Sequence, residues 1–174
     1  EKKCYNGIEI AGKTLGIVGM GRIGMELATR AKGLGMEVLY YDLRKELDVP
    51  SIYKRGSLED VISKSDFISL HVPIKKGEPA LIADAEFKKM KDGVYIINCA
   101  RGGVVDEKAL LAALSSGKVG GAGIDVYVEE PTANIELVRH ARVSVTPHIG
   151  AQTKEAQQRV GAEVIEIVKK FFEK

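Results

Sequence analysis

The chain has 174 residues, 45% of them hydrophobic and 29% charged, with a net charge of +2. Those values suit one ordinary globular domain with its own core. No Lys/Arg block gives a footprint for nucleic acid, no apolar run is long enough to cross a bilayer, and nothing at the start reads as a signal peptide. Cys4 and Cys99 lie far apart and form no C-x-x-C pair, which suits a disulfide-free protein in a reducing cytoplasm. The chain opens at Glu1 in a charged stretch rather than at a Met, as expected of a piece of a longer protein or of a processed or renumbered chain.

Strand and helix patterns alternate from there on. Residues 14–18 (TLGIV) predict a strand ending in a glycine-rich turn, and 22–33 carry apolar Ile23, Leu27 and Ala31 at helical spacing. A strand is expected at 37–41, with Asp42 at its end. Ser57 and Asp60 form a capping-box pattern opening a helix. Strands follow at 66–70 and 94–98, with a short helix at 84–90 between them. Asp106 caps a helix running to about Ser116, with Gly117 as its stop. Residues 119–126 and 142–146 read as further strands, the first glycine-rich. A long helix begins near Thr153, with Ala156, Val160, Val164, Ile167 and Phe171 on one stripe. Alternation of this kind predicts an α/β fold, a doubly wound parallel sheet of the Rossmann type with helices on both faces. No linker divides the chain, so residues 1–174 read as one domain.

Gly19-Met20-Gly21-Arg22-Ile23-Gly24 is G-x-G-x-x-G between a strand and a helix. Gly19 permits the tight turn, Gly21 lets the backbone approach a pyrophosphate, and Gly24 lets the helix pack closely on the sheet. Free amides at the helix start then face the phosphates. Alone the motif is weak, but the acid expected about 20 residues on is present as Asp42. Its carboxylate can hold ribose hydroxyls and repel a 2′-phosphate, which favours NAD over NADP; Arg44 stands close enough to blur that preference.

Three polar groups follow strands, where parallel sheets bind ligands: Arg101, the pair Glu129 and Glu130, and His148. An Arg can hold a carboxylate with two hydrogen bonds, a His can act as general base, and a carboxylate beside it can fix its tautomer. Singly, each has a plainer reading as surface, solvated loop or strand terminator. Asp125, inside a strand, needs a partner, either a nicotinamide carboxamide or a structural donor. His71 reads as a satisfied strand-end histidine, His140 as solvated in a charged helical stretch, and Cys99 as a small core residue.

The segments GKTLGIVGMGRIG, SLHVP, INCARGGVVDEKAL, GIDVYVEEP and TPHIGAQTKEAQ, in this order, closely resemble the D-isomer-specific 2-hydroxyacid dehydrogenase family, most of all its branch acting on D-3-phosphoglycerate. The resemblance covers nearly the whole chain. It implies Arg101 as substrate-binding arginine, His148 as general acid/base and Glu130 as its carboxylate partner. It implies NAD held by Gly19, Gly21, Arg22, Ile23 and Gly24 at the pyrophosphate and Asp42 at the ribose. Val72 and Pro73 would flank the adenine side, with Ala100, Arg101, Asp125 and His148 near the nicotinamide. It further implies a small 2-hydroxy acid substrate, a homodimer through this domain, and a substrate domain outside the chain, without which turnover is poor. Glyoxylate, hydroxypyruvate or D-lactate is the alternative substrate, and an NAD-sensing corepressor-like module the alternative of another class.

Overall fold

A computed structural model describes residues 7–75 and 77–173; Cys4 lies outside the described residues. The elements run β1 (Thr14–Val18), α1 (Arg22–Gly33), β2 (Glu37–Tyr41), β3 (Lys54–Arg55), α2 (Leu58–Lys64), β4 (Phe67–Leu70), α3 (Asp84–Lys89), β5 (Val94–Asn98), α4 (Glu107–Ser116), β6 (Val119–Ile124), α5 (Ile135–Val138), β7 (Val143–Val145) and α6 (Lys154–Phe172). All seven strands are parallel, in the order β3-β2-β1-β4-β5-β6-β7. The order reverses between β1 and β4, and the crevice at that point is where open sheets of this class take ligands.

Side-chain alternation along β1 divides the core. Leu15 and Ile17 pack with Ala28 and Ala31 of α1. Val18 faces the other way, into a cluster with Val61 of α2, Phe87 of α3 and Leu110 and Leu114 of α4. Gly16 points toward α2 as well, where a Cβ would stand 2.9 Å from Val61 and closer still to Ser65. On the α1 side beyond β1 the cover thins: Phe67 and Tyr95 stack at 5.0 Å and stay half-buried, as does Ile97.

Local signals set the helix ends. Ser57 accepts from the Asp60 amide at 3.0 Å while Asp60 accepts from the Ser57 amide at 3.0 Å, the reciprocal capping box. Asp106 accepts from Ala109 N at 2.8 Å, and Gly117 ends α4 with φ 81°. Thr153 caps α6 through Ala156 N.

Four features depart from expectation. β3 is a two-residue edge strand of Lys and Arg, too short and polar for an apolar pattern. α5 is a single capped turn, with Asn134 accepting from Leu137 N; His140 lies just past it, half-buried, and its Nδ1 accepts from Arg142 N at 3.2 Å. Cys99 is exposed rather than a core residue, because it sits one position past the buried end of β5. Finally, no residue of α6 is buried: Val160, Val164, Ile167 and Phe171 are all at least half exposed.

Leu114→Ala, at a site with no exposure, should cost about 2–5 kcal/mol. Val164→Ala should change stability by less than about 0.5 kcal/mol. Urea unfolding of the two variants checks this; equal losses would contradict the exposed placement of α6.

Candidate coenzyme and active site

The turn after β1 is shaped by close backbone contacts. Gly19 has φ 98°, and a Cβ there would stand 2.5 Å from the carbonyl oxygen of His71. A Cβ on Gly24 would stand 2.2 Å from the Gly19 carbonyl, so only glycine lets α1 start directly against the turn. Gly21 differs: its nearest neighbour would be Arg44 Nη2 at 3.7 Å, leaving that amide edge open. Gly21 is also the N-cap of α1, and no side chain caps the first-turn amides. Those amides have no partner within the helix and carry its positive dipole end.

Asp42, 8% exposed, closes the site at the end of β2. Its Oδ2 accepts from Met20 N at 2.8 Å and Arg44 Nη2 at 2.9 Å; its Oδ1 accepts from Arg44 N at 2.9 Å and Nε at 3.0 Å. The Arg44 side chain, against the opposing push of burial, and then the Arg44 and Met20 amides lower the Asp42 pKa to about 2. Between the turn and β4 lies a cavity of about 720 Å³, lined by Gly19, Gly21, Asp42, Arg44, His71, Val72, Pro73, Leu81 and Val104 among others. Open amides, a strand-end carboxylate and apolar walls fit a dinucleotide. His71 keeps its Nε2 at 2.9 Å from Ser69 Oγ, and burial pushes its pKa down.

The second half of the site is built on the ends of β5, β6 and β7. His148 Nδ1 meets Glu130 Oε2 at 2.8 Å, and Glu130 Oε1 accepts from Tyr127 N at 3.1 Å. The histidine contact and then the Tyr127 amide hold Glu130 below the usual carboxylate range. With Nδ1–H donated to Glu130, Nε2 is left free to take a proton. His148 has φ 57°, a left-handed conformation costing roughly 1–2 kcal/mol for a residue with a Cβ. The loop holds it there: Asp125 accepts from Thr146 Oγ1 at 2.5 Å, Ile149 N at 2.9 Å and Gly150 N at 3.0 Å. Burial pushes the Asp125 carboxyl up, and these three donors hold it below its ordinary value nonetheless. Arg101 is exposed, its guanidinium folded onto the Ala100 carbonyl at 2.6 Å. Beside it a Cβ on Gly102 would overlap the Tyr127 carbonyl at 1.7 Å, so the Arg101 loop and the Glu130 loop run in backbone contact.

Of the expected coenzyme residues, Gly19, Gly21, Asp42, Val72 and Pro73 line the one cavity. Arg22 and Ile23 are exposed on the first turn of α1, and Gly24 is buried beneath it. Asp125 makes structural hydrogen bonds to the His148 loop. Glu129 is exposed and outside the His148 pair. Several residues escaped the sequence reading. Asn98, 2% exposed, accepts from Ala100 N and donates to the Arg101 carbonyl. Glu107 accepts from Val128 N at 3.0 Å and Asn134 Nδ2 at 2.7 Å, bracing the loop that carries Glu130. Asn98 directly before Cys99-Ala100-Arg101 and Gly102 directly after were the available signals.

Sheet order, phosphate turn and strand-end acids together define a Rossmann-type dinucleotide-binding domain. Residues 1–150 match the family model of the D-isomer specific 2-hydroxyacid dehydrogenase, NAD binding domain. The chain belongs to that family, and its coenzyme is NAD. It is 46% identical over 166 residues to human D-3-phosphoglycerate dehydrogenase, covering 94% of this chain and 31% of that protein. It is 49% identical over 176 residues to a hydroxypyruvate reductase of Thermotoga maritima, covering 99% and 56%. Among solved structures, a D-lactate dehydrogenase from Aquifex aeolicus complexed with NAD and lactic acid superposes with a TM-score of 0.83 at 37% identity, covering 92% of this chain and 54% of the other. The chain therefore spans about a third to about a half of the length of these relatives. No described helix is long and apolar enough to cross a membrane, and no described His/Cys/Asp/Glu group could hold a metal ion.

Asp42 is ionised with a pKa of about 2 in the fold, below the ordinary aspartate value of 3.8. A lowered folded pKa stabilises above the unfolded value and is lost as pH falls through the folded one. Asp42→Asn should cost roughly 1–2 kcal/mol at pH 7. That deficit should shrink as pH drops from 5 toward 2, which urea titrations at several pH values would measure.

Proposed function

We propose that the chain is the coenzyme half of an NAD-dependent D-2-hydroxyacid dehydrogenase, with D-3-phosphoglycerate as its substrate. The observation that carries this is the His148–Glu130 pair, set beside the Arg101 loop at the strand ends of the NAD-binding sheet. The choice of D-3-phosphoglycerate rests on the 46% identity to the human enzyme of that name. The hydroxypyruvate reductase, at 49% identity, makes hydroxypyruvate the competing substrate.

In this reading NAD supplies the two-electron acceptor at its nicotinamide ring. Arg101 swings off the Ala100 carbonyl to grip the substrate carboxylate with two hydrogen bonds. His148 takes the substrate hydroxyl proton on Nε2, while Glu130 keeps Nδ1 protonated and stabilises the imidazolium that forms. Asp125 aims the loop. A second domain supplies the other wall of the pocket, and two copies of the enzyme associate through the coenzyme domain. Cys99, exposed and in no disulfide among the described residues, suits a reducing cytoplasm.

In the whole enzyme, His148→Ala should lower kcat by about 100- to 10,000-fold, while NAD affinity stays within a few-fold of wild type. Stopped-flow rates with calorimetric NAD binding separate the two. Retained turnover on both 3-phosphoglycerate and hydroxypyruvate would overturn the assignment of His148. Turnover on hydroxypyruvate alone by the unaltered enzyme would overturn the substrate.

A further inference from the structure

We propose that Arg44 is the residue that sets coenzyme selectivity, and that it opens this NAD site to dinucleotides bearing a 2′-phosphate. The inference rests on the coenzyme reading above. Asp42 has no free acceptor edge: three of its four hydrogen bonds come from Arg44, one from the backbone and two from the guanidinium. Ribose hydroxyls can reach this carboxylate only by displacing Nε and Nη2, while the Met20 and Arg44 amides remain in place. The guanidinium lies on the ligand side, since Arg44 Nη2 is the nearest atom to the open edge of Gly21 and lines the same cavity.

A displaced Arg44 stays near the ribose because its backbone is anchored. Arg55, on the edge strand β3, donates to the carbonyls of Asp42 at 2.8 Å, Arg44 at 2.6 Å and Lys45 at 2.8 Å, with its guanidinium 5.9 Å from the Tyr40 ring centre. Among these hydrogen-bonded groups Asp42 contributes one negative charge, and Arg44 and Arg55 one positive charge each. The repulsion that a lone acid offers a 2′-phosphate is therefore cancelled locally. A guanidinium matches phosphate oxygens with paired, charge-assisted hydrogen bonds, and an arginine near this carboxylate is the known means of accommodating that group. The same pairing makes Arg44 a competitor of NAD for Asp42.

Calorimetric titration of the chain with NAD and NADP, for the unaltered protein, Arg44→Ala and Arg44→Gln, tests this. The unaltered chain should bind both, with NADP within about 100-fold of NAD. In both variants the preference for NAD should rise about tenfold or more, from weaker NADP and tighter NAD binding. NADP binding should also fall more steeply with salt. The proposal is overturned if both variants keep the original ratio, which would leave Arg44 as a loop clamp only. It is overturned too if the unaltered chain binds NAD and not NADP. Absence of heat with NAD itself would instead overturn the coenzyme reading and this inference with it.

Discussion

A parallel ladder ends at its carboxyl edge: the last strand carbonyls still accept from a neighbouring loop, as Val18, Tyr41, Asn98 and Ile124 do here, but the loop amides beyond need new partners. Burying them unpaired costs about 1–3 kcal/mol each. Buried side chains supply several of those partners. Of the five buried polar residues among those described, Asp42, Ser69, Asn98 and Asp125 lie at or beside the carboxyl ends of β2, β4, β5 and β6. Asp42 takes the Met20 amide, Asn98 ties the Ala100 amide to the Arg101 carbonyl, and Asp125 takes the amides of Ile149 and Gly150. The fifth, Ser65, sits before β4, and its hydroxyl has no partner. Thus the groups that finish the sheet are the groups that shape the coenzyme turn, the Arg101 loop and the His148 loop.

Much of this was legible in the sequence because it is encoded locally. Apolar runs such as VYIIN announce strands, although the Tyr95 and Ile97 face of that one stays half-buried, and Ser57/Asp60, Asp106 and Gly117 mark helix ends by short-range hydrogen bonds that their spacing alone predicts. The phosphate turn was legible for the same reason, since each glycine answers a contact within a few residues or at the neighbouring strand end. What stayed hidden depends on partners distant in sequence. Lys54–Arg55 becomes a strand only because β2 offers an edge, and Arg55 gains its importance from carbonyls ten or more residues upstream. Gly102 reads as a loop glycine until the Tyr127 backbone arrives against it. Cys99 was misjudged because apolar patterning cannot tell the last buried residue of a strand from the first exposed one after it. The α6 stripe shows the converse: periodicity predicts the helix correctly, yet says nothing about which surface, if any, receives it.

The two ends of the site are held by forces of different strength. The coenzyme end relies on main-chain amides and on Asp42, which is nearly excluded from water. The His148–Glu130 pair is half in solvent, with side chains 46% and 38% exposed. Exposed ion pairs contribute only about 0–1 kcal/mol, less than the roughly 1–2 kcal/mol that the left-handed backbone of His148 costs. The pair therefore cannot be what places the histidine. The buried carboxylate of Asp125 can: its hydrogen bonds to the two residues after His148 and to the Thr146 hydroxyl, each worth about 1.5–3 kcal/mol for a charged acceptor, outweigh the strain. Glu130 is left to set the tautomer, and the sheet, through Asp125, sets the position.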